Sequence, residues 1–149
     1  MTQSINHQFF FPHPPEMVWE YLTNAELMAQ WLMKNDFLPI VGHDFQFRTN
    51  PIPSLDFDGI VYCTVLEIIP FKKLSYSWKS GPGGGKITID SVVVWKLESK
   101  DKGTDLLLEH SGFSEIENLN MYAGLTDGWL KNMHKIAERL NAKHGTTNI

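Results

Sequence analysis

The sequence predicts an α+β domain in which an antiparallel sheet of about six strands curves around one long C-terminal helix, with two short helices after the first strand. Three observations lead there. Tyr122, Leu125, Trp129, Met133, Ile136 and Leu140 recur at steps of three and four, which on a helix gathers them into one apolar stripe. Between Phe45 and Gly112, apolar and polar residues alternate at period two in several successive runs. The strand-like runs are also segregated from the helical ones, which favours an antiparallel sheet with a helix laid across it over alternating βαβ units.

Taken in order, Ile5 to Phe11 reads as the first strand, stopped by Pro12 and by Pro14-Pro15, which cannot donate to a ladder. Pro15 suits the first turn of a short helix running to Leu22, with Val18 and Leu22 on one face. Thr23 with Glu26 predicts a capping box for a second short helix, whose apolar side is Leu27, Met28, Trp31 and Leu32. Phe45 and Phe47 then alternate with Asp44, Gln46 and Arg48 as a strand, ended by the loop from Asn50 to Ser54. A long β-branched and aromatic run from Phe57 to Ile69 is joined through Pro70 to Lys73 with the strand carrying Leu74, Tyr76 and Trp78. After the glycine-rich stretch Ser80 to Lys86, a strand holds Ile87, Ile89, Ser91, Val93, Trp95 and Leu97 on one side. Thr104 to Gly112 puts Leu106, Leu108 and His110 on one face, opposite Asp105 and Glu109. The long helix starts at a capping box from Ser114 to Glu117, or at Asn118 or Asn120, and ends near Lys143 with Gly145 as cap and a frayed tail after it. Gly128 inside it predicts a close backbone approach to a strand.

At 149 residues the chain is long enough for one domain, residues 1–149, with a core of ordinary size. A net charge of −4 with scattered Lys and Arg leaves no basic face for phosphates, so nucleic acid is not expected as a partner. The lone Cys63 forms no internal disulfide and no charged, then apolar, leader is visible, which together predict a cytoplasmic protein. No run approaches the roughly 20 apolar residues of a membrane span. Five Trp, nine Phe and four Tyr furnish either a plain core or the lining of a cavity.

Few residues carry chemistry. Ser80 to Ile87 contains Gly81, Gly83, Gly84, Gly85 and Lys86, yet a phosphate loop would need Gly at 80 and Ser or Thr at 87, followed by a helix. A hairpin at a cavity rim is the reading we take. The six histidines show no metal-binding spacing, so no metal and no cofactor is expected. Cys63 reads as a buried, inert thiol. His110 shares a face with Leu106 and Leu108 and is either a satisfied core histidine or a polar anchor for a ligand. Catalysis would need a second positioned acid or base, and the pattern does not put Glu67, Glu109 or Asp90 on the inner face.

The chain resembles the activator of heat-shock-protein-90 ATPase homologue group of the START-like, helix-grip (SRPBCC, Bet v 1-like) superfamily. The resemblance rests on Pro14-Pro15-Glu16-Met17-Val18-Trp19 leading to Trp31, on Asp58-Gly59 before Leu66-Glu67-Ile68-Ile69-Pro70, and on Leu74-Ser75-Tyr76-Ser77-Trp78. It continues in Gly103-Thr104 with Leu106, Leu108 and His110-Ser111-Gly112-Phe113, and in Gly128-Trp129. These stretches cover nearly the whole chain and sit mostly at turns and packing positions, so they speak to fold more than to activity. The resemblance implies a cavity between sheet and long helix that takes hydrophobic small molecules. It also brings two other activities of the superfamily: stimulation of a heat-shock chaperone in a stress response, and cyclase or hydrolase chemistry. The chaperone activators carry an additional N-terminal domain for which 149 residues leave no room, so small-molecule binding ranks first.

On this reading the expected cavity residues are Trp31, Phe47, Tyr76, Trp78, Trp95, His110, Tyr122 and Trp129, with no catalytic group. Trp31 and Phe47 are expected to close the mouth, and the expected partner is a flat, mostly apolar molecule with a hydrogen-bonding group. A chaperone is the second partner considered.

Overall fold

The computed structural model describes residues 2–114 and 119–144. Its elements are β1 (Thr2–Phe11), α1 (Pro15–Thr23), α2 (Ala25–Trp31), β2 (Lys34–Asn35), β3 (Asp44–Arg48), β4 (Ile60–Ile69), β5 (Lys73–Ser80), β6 (Ile89–Lys100), β7 (Gly103–Ser114) and α3 (Leu119–His144). The strands form one curved antiparallel sheet in the order β1-β7-β6-β5-β4-β3-β2, so the first strand closes onto the last. The six expected strands are all present. The seventh, β2, pairs only Lys34 with Arg48 and Asn35 with Phe47, and two residues are too few to show a period.

Several boundaries move for identifiable reasons. Asn24, not Thr23, caps α2: its extended backbone ends α1, and its side-chain oxygen accepts from the Leu27 amide at 3.1 Å. Thr23 remains the last residue of α1, where its hydroxyl donates to the Trp19 carbonyl at 2.8 Å. Phe57 precedes β4 and pairs with Ile52 across a short 3-10 turn at Pro53–Leu55. Ile87 likewise precedes β6 and is exposed. The capping box through Glu117, Asn118 and the cap and tail from Gly145 onward lie outside the described residues.

The core follows from the two periodicities. The β5 register sets Leu74 beside Trp95, Tyr76 beside Val93 and Trp78 beside Ser91, and the β6 register sets Trp95 beside Leu108, Val93 beside His110 and Leu97 beside Leu106. All of these are buried, so three neighbouring strands share one inner face. Trp129, Met133, Ile136 and Leu140 of α3 are buried against this sheet-lined core. Rings continue from helix to sheet: Trp31 to Trp95 at 5.9 Å, Trp95 to Trp129 at 5.5 Å, Trp129 to Trp78 at 5.2 Å and Trp78 to Phe47 at 5.4 Å between centroids. Near the end of β7 the pairing with β1 skips Gly112, whose φ of +109° a side chain would strain, and Phe113 returns to the core at a centroid distance of 4.6 Å from His110.

Candidate functional site

Beneath the N-terminal half of α3 lies a cavity of about 270 Å³. Met121, Gly124, Leu125, Gly128, Trp129 and Asn132 form its helix wall. Trp78, Ser80 and Val61 come from the sheet, Leu32 and Met33 from the end of α2, and Thr49, Ile52, Leu55 and Phe57 from the segment between β3 and β4. None of these side chains is ionisable. The helix wall is recessed because two of its residues carry no side chain: a Cβ placed on Gly124 or Gly128 would meet nothing within 4 Å. This corrects the expectation of a close strand approach at Gly128. The glycine there makes room instead of permitting contact, and helical propensity worth about 1 kcal/mol per glycine is forgone to leave the space open.

Of the expected cavity residues, Trp78 and Trp129 line this space. The other six are not in the lining, and hydrogen bonds or ring packing hold them where they are. The indole of Trp31 donates to the Tyr21 carbonyl at 2.8 Å, fastening α2 to α1. Tyr76 and Trp95 satisfy each other, the indole N–H donating to the phenol oxygen at 3.0 Å in a wholly buried pair. Phe47 is enclosed by Phe45, Tyr76 and Trp78. The Tyr122 hydroxyl donates to the Ser4 carbonyl at 3.1 Å and ties α3 to β1. In place of Trp31 and Phe47, the lining takes Leu32 and Met33, immediately after the one, and Thr49, two residues beyond the other.

His110 occupies the middle of a closed chain of donors and acceptors. Trp129 Nε1–H donates to His110 Nδ1 at 3.0 Å, His110 Nε2–H donates to Ser91 Oγ at 2.8 Å, and Ser91 Oγ–H donates to the Trp78 carbonyl at 2.8 Å. Both ring nitrogens are used, so the imidazole is a satisfied core group joining α3, β7, β6 and β5. Burial in this apolar space lowers its pKa to about 3, which keeps it neutral near pH 7. Burial likewise raises the Tyr76 phenol and the Cys63 thiol above their ordinary ranges, so neither is an accessible anion.

Ser80, Asn132 and Thr49, the polar residues of the lining, are not among the residues that the sequence pattern pointed to. A signal for Asn132 was present, since it follows Gly124 and Gly128 at the same four-residue step and so shares their side of the helix. Among the described residues no cluster of three or more His, Cys, Asp or Glu side chains could hold a metal ion, and no helix is long and apolar enough to cross a membrane.

A family model described as Activator of Hsp90 ATPase homolog 1-like protein matches residues 12–141. No curated protein matches the sequence. Among solved structures, protein MLL2253 from Mesorhizobium loti is similar at 33% identity and a TM-score of 0.84, over 99% of this chain and 100% of that one. CalU16 from Micromonospora echinospora is similar at 22% identity and a TM-score of 0.73, over 99% of this chain and 78% of its own. The Aha1 dimer from Colwellia psychrerythraea, at 20% identity and a TM-score of 0.74, matches over 97% and 99% respectively. At those lower identities CalU16 and Aha1 bear on fold alone.

Proposed function

This chain belongs to the Activator of Hsp90 ATPase homolog 1-like family, and we propose that it is a non-catalytic binding domain taking a hydrophobic or aromatic small molecule in the cavity under α3. The supporting observation is that cavity: about 270 Å³ of space walled mainly by apolar side chains, the aromatic residues Phe57, Trp78 and Trp129 among them, with a helix wall opened by two glycines. A domain without a ligand to hold would gain about 1 kcal/mol at each glycine from alanine and lose nothing by filling the gap. The lining also argues against an enzyme. It presents one serine with no base beside it, and an unactivated hydroxyl is a poor nucleophile.

The test uses the two tryptophans of the lining. Binding of flat apolar compounds, for example a panel of aromatic polyketides and flavonoids, should quench tryptophan fluorescence and raise the melting temperature, because the ligand binds only the native state. Trp78→Ala should weaken that binding through lost ring contact. Native mass spectrometry of protein freshly isolated from its own cells should show a retained compound. A protein that retains nothing, responds to none of the panel and instead raises the ATP turnover of a heat-shock chaperone would replace this reading with the chaperone one.

A further inference from the structure

Resting on the cavity as a binding site, we infer that Ser80 and Asn132 are its specificity-determining anchors, and that the ligand is an uncharged aromatic molecule carrying a hydroxyl or carbonyl group. Ser80, the last residue of β5, is only 2% exposed and lines the cavity, yet its hydroxyl bonds no other described group. Ser91, by contrast, is buried at the same depth and commits its hydroxyl to the Trp78 carbonyl and the His110 ring. The Ser80 hydroxyl is not among the fully enclosed polar atoms, so it is accessible from the cavity and free to bond a group that enters there. The Asn132 carboxamide on the facing helix wall is also without a partner among the described residues, and it supplies both a donor and an acceptor.

The shape of the site orders these groups. Gly124, Gly128 and Asn132 follow one another at four-residue steps, so the row extends about 12 Å along the helix at ~1.5 Å per residue. The two glycines leave a trough open against the rings of Trp78 and Trp129, and Asn132 stands at its end. A planar ring system fits the trough, with its polar substituent toward Asn132 and Ser80. The absence of any ionisable side chain from the described lining selects against a charged ligand, because a buried ion without a counter-charge is strongly disfavoured.

Three probes of nearly the same size separate these statements: naphthalene, 2-naphthol and 2-naphthoate, measured by equilibrium dialysis at pH 7. Wild-type protein should bind 2-naphthol several-fold more tightly than naphthalene and 2-naphthoate at least tenfold more weakly than 2-naphthol. Ser80→Ala and Asn132→Leu should each reduce 2-naphthol affinity by about 3- to 10-fold, as for one lost hydrogen bond, while leaving naphthalene affinity unchanged. Gly128→Leu, which fills the trough, should abolish binding of all three, with circular dichroism showing that it is folded. If naphthalene binds and Gly128→Leu expels it, but the advantage of 2-naphthol is absent or survives both anchor variants, the anchors are overturned and the cavity stands. Tight binding of 2-naphthoate at this site would overturn the uncharged ligand. If no probe binds wild type, the cavity reading falls and the anchors with it.

Discussion

The two halves of α3 present the same apolar period to the same sheet and meet different conditions. Trp129, Met133, Ile136 and Leu140 are fully buried, and this stripe is sealed against the strands and the short helices. From Met121 to Gly128 the inward residues are only partly buried or bare glycine, and the helix stands over open space. Amphipathicity therefore determines which side of a helix faces inward without determining whether that side touches anything. The sealed half supplies the stability that lets the open half remain unfilled, and Trp129 belongs to both, with one side in the ring stack and another on the cavity.

The largest expected effect lies at that junction. Trp129→Ala removes a ring packed on Trp78 and Trp95 and leaves the His110 Nδ1 acceptor without its donor. Chemical denaturation should show a loss of about 3 to 5 kcal/mol, as for large aromatic truncations in cores. A near-neutral melt would mean that the seal is not made there. The next contrast compares the halves directly. Ile136→Ala, in the sealed half, should cost about 2 to 5 kcal/mol, whereas Leu125→Ala, beside space already empty, should cost about 1 kcal/mol for lost burial. Equal losses would erase the distinction between the halves.

The sealed half also carries a pH dependence. His110 is neutral in the fold down to about pH 3, whereas in the unfolded chain an imidazole takes up a proton near its ordinary value of 6.5. The unfolded state thus binds more protons between these values, so the contribution of His110 is fully present above about pH 6.5 and is lost as the pH falls toward 3. At pH 5 the loss relative to pH 7 should be about 2 kcal/mol. Urea melts of wild type and His110→Gln at both pH values isolate it, since other groups titrate in both proteins. Parallel pH profiles would show that His110 takes up its proton in the fold.

Much of this contrast was legible in the sequence, and the illegible part has a physical reason. Periods of two and of three to four residues identified the elements and the inner faces of β5, β6, β7 and α3, because those periods are how burial is written into a chain. The occupants of the cavity were harder to see. Large rings at inward positions, such as Trp31, Phe47 and Trp95, fill space and so become core, while the cavity is lined where elements end, at Leu32, Met33, Thr49 and Ser80. At an element's end the period stops and no longer indicates which way a side chain faces. Glycine is ambiguous for a different reason. A missing side chain permits either close contact or a void, and only the surrounding atoms distinguish them, as they do at Gly128. Local competition also counts: Thr23 and Asn24 both suit a helix start, and the backbone turns at Asn24.

The smallest expected effect has the opposite sign and tests the open half most directly. Gly128→Ala adds a methyl group where nothing lies within 4 Å, so no clash opposes it. It should stabilise the ligand-free protein by about 1 kcal/mol through helical propensity and reduced freedom of the unfolded chain. The same methyl enters the cavity beside Trp129 and Asn132 and takes room from a ligand, so binding of a flat aromatic probe should weaken as stability rises. Gly124→Ala, in the same row, should stabilise similarly and weaken binding on its own side of the trough. A combined melt and dialysis series on the two variants reads both quantities from the same samples. Stabilisation with unchanged affinity would place the ligand elsewhere, and destabilisation would show that the space beside α3 is closed in solution. Opposed shifts in stability and affinity are what a helix wall kept bare for a ligand requires.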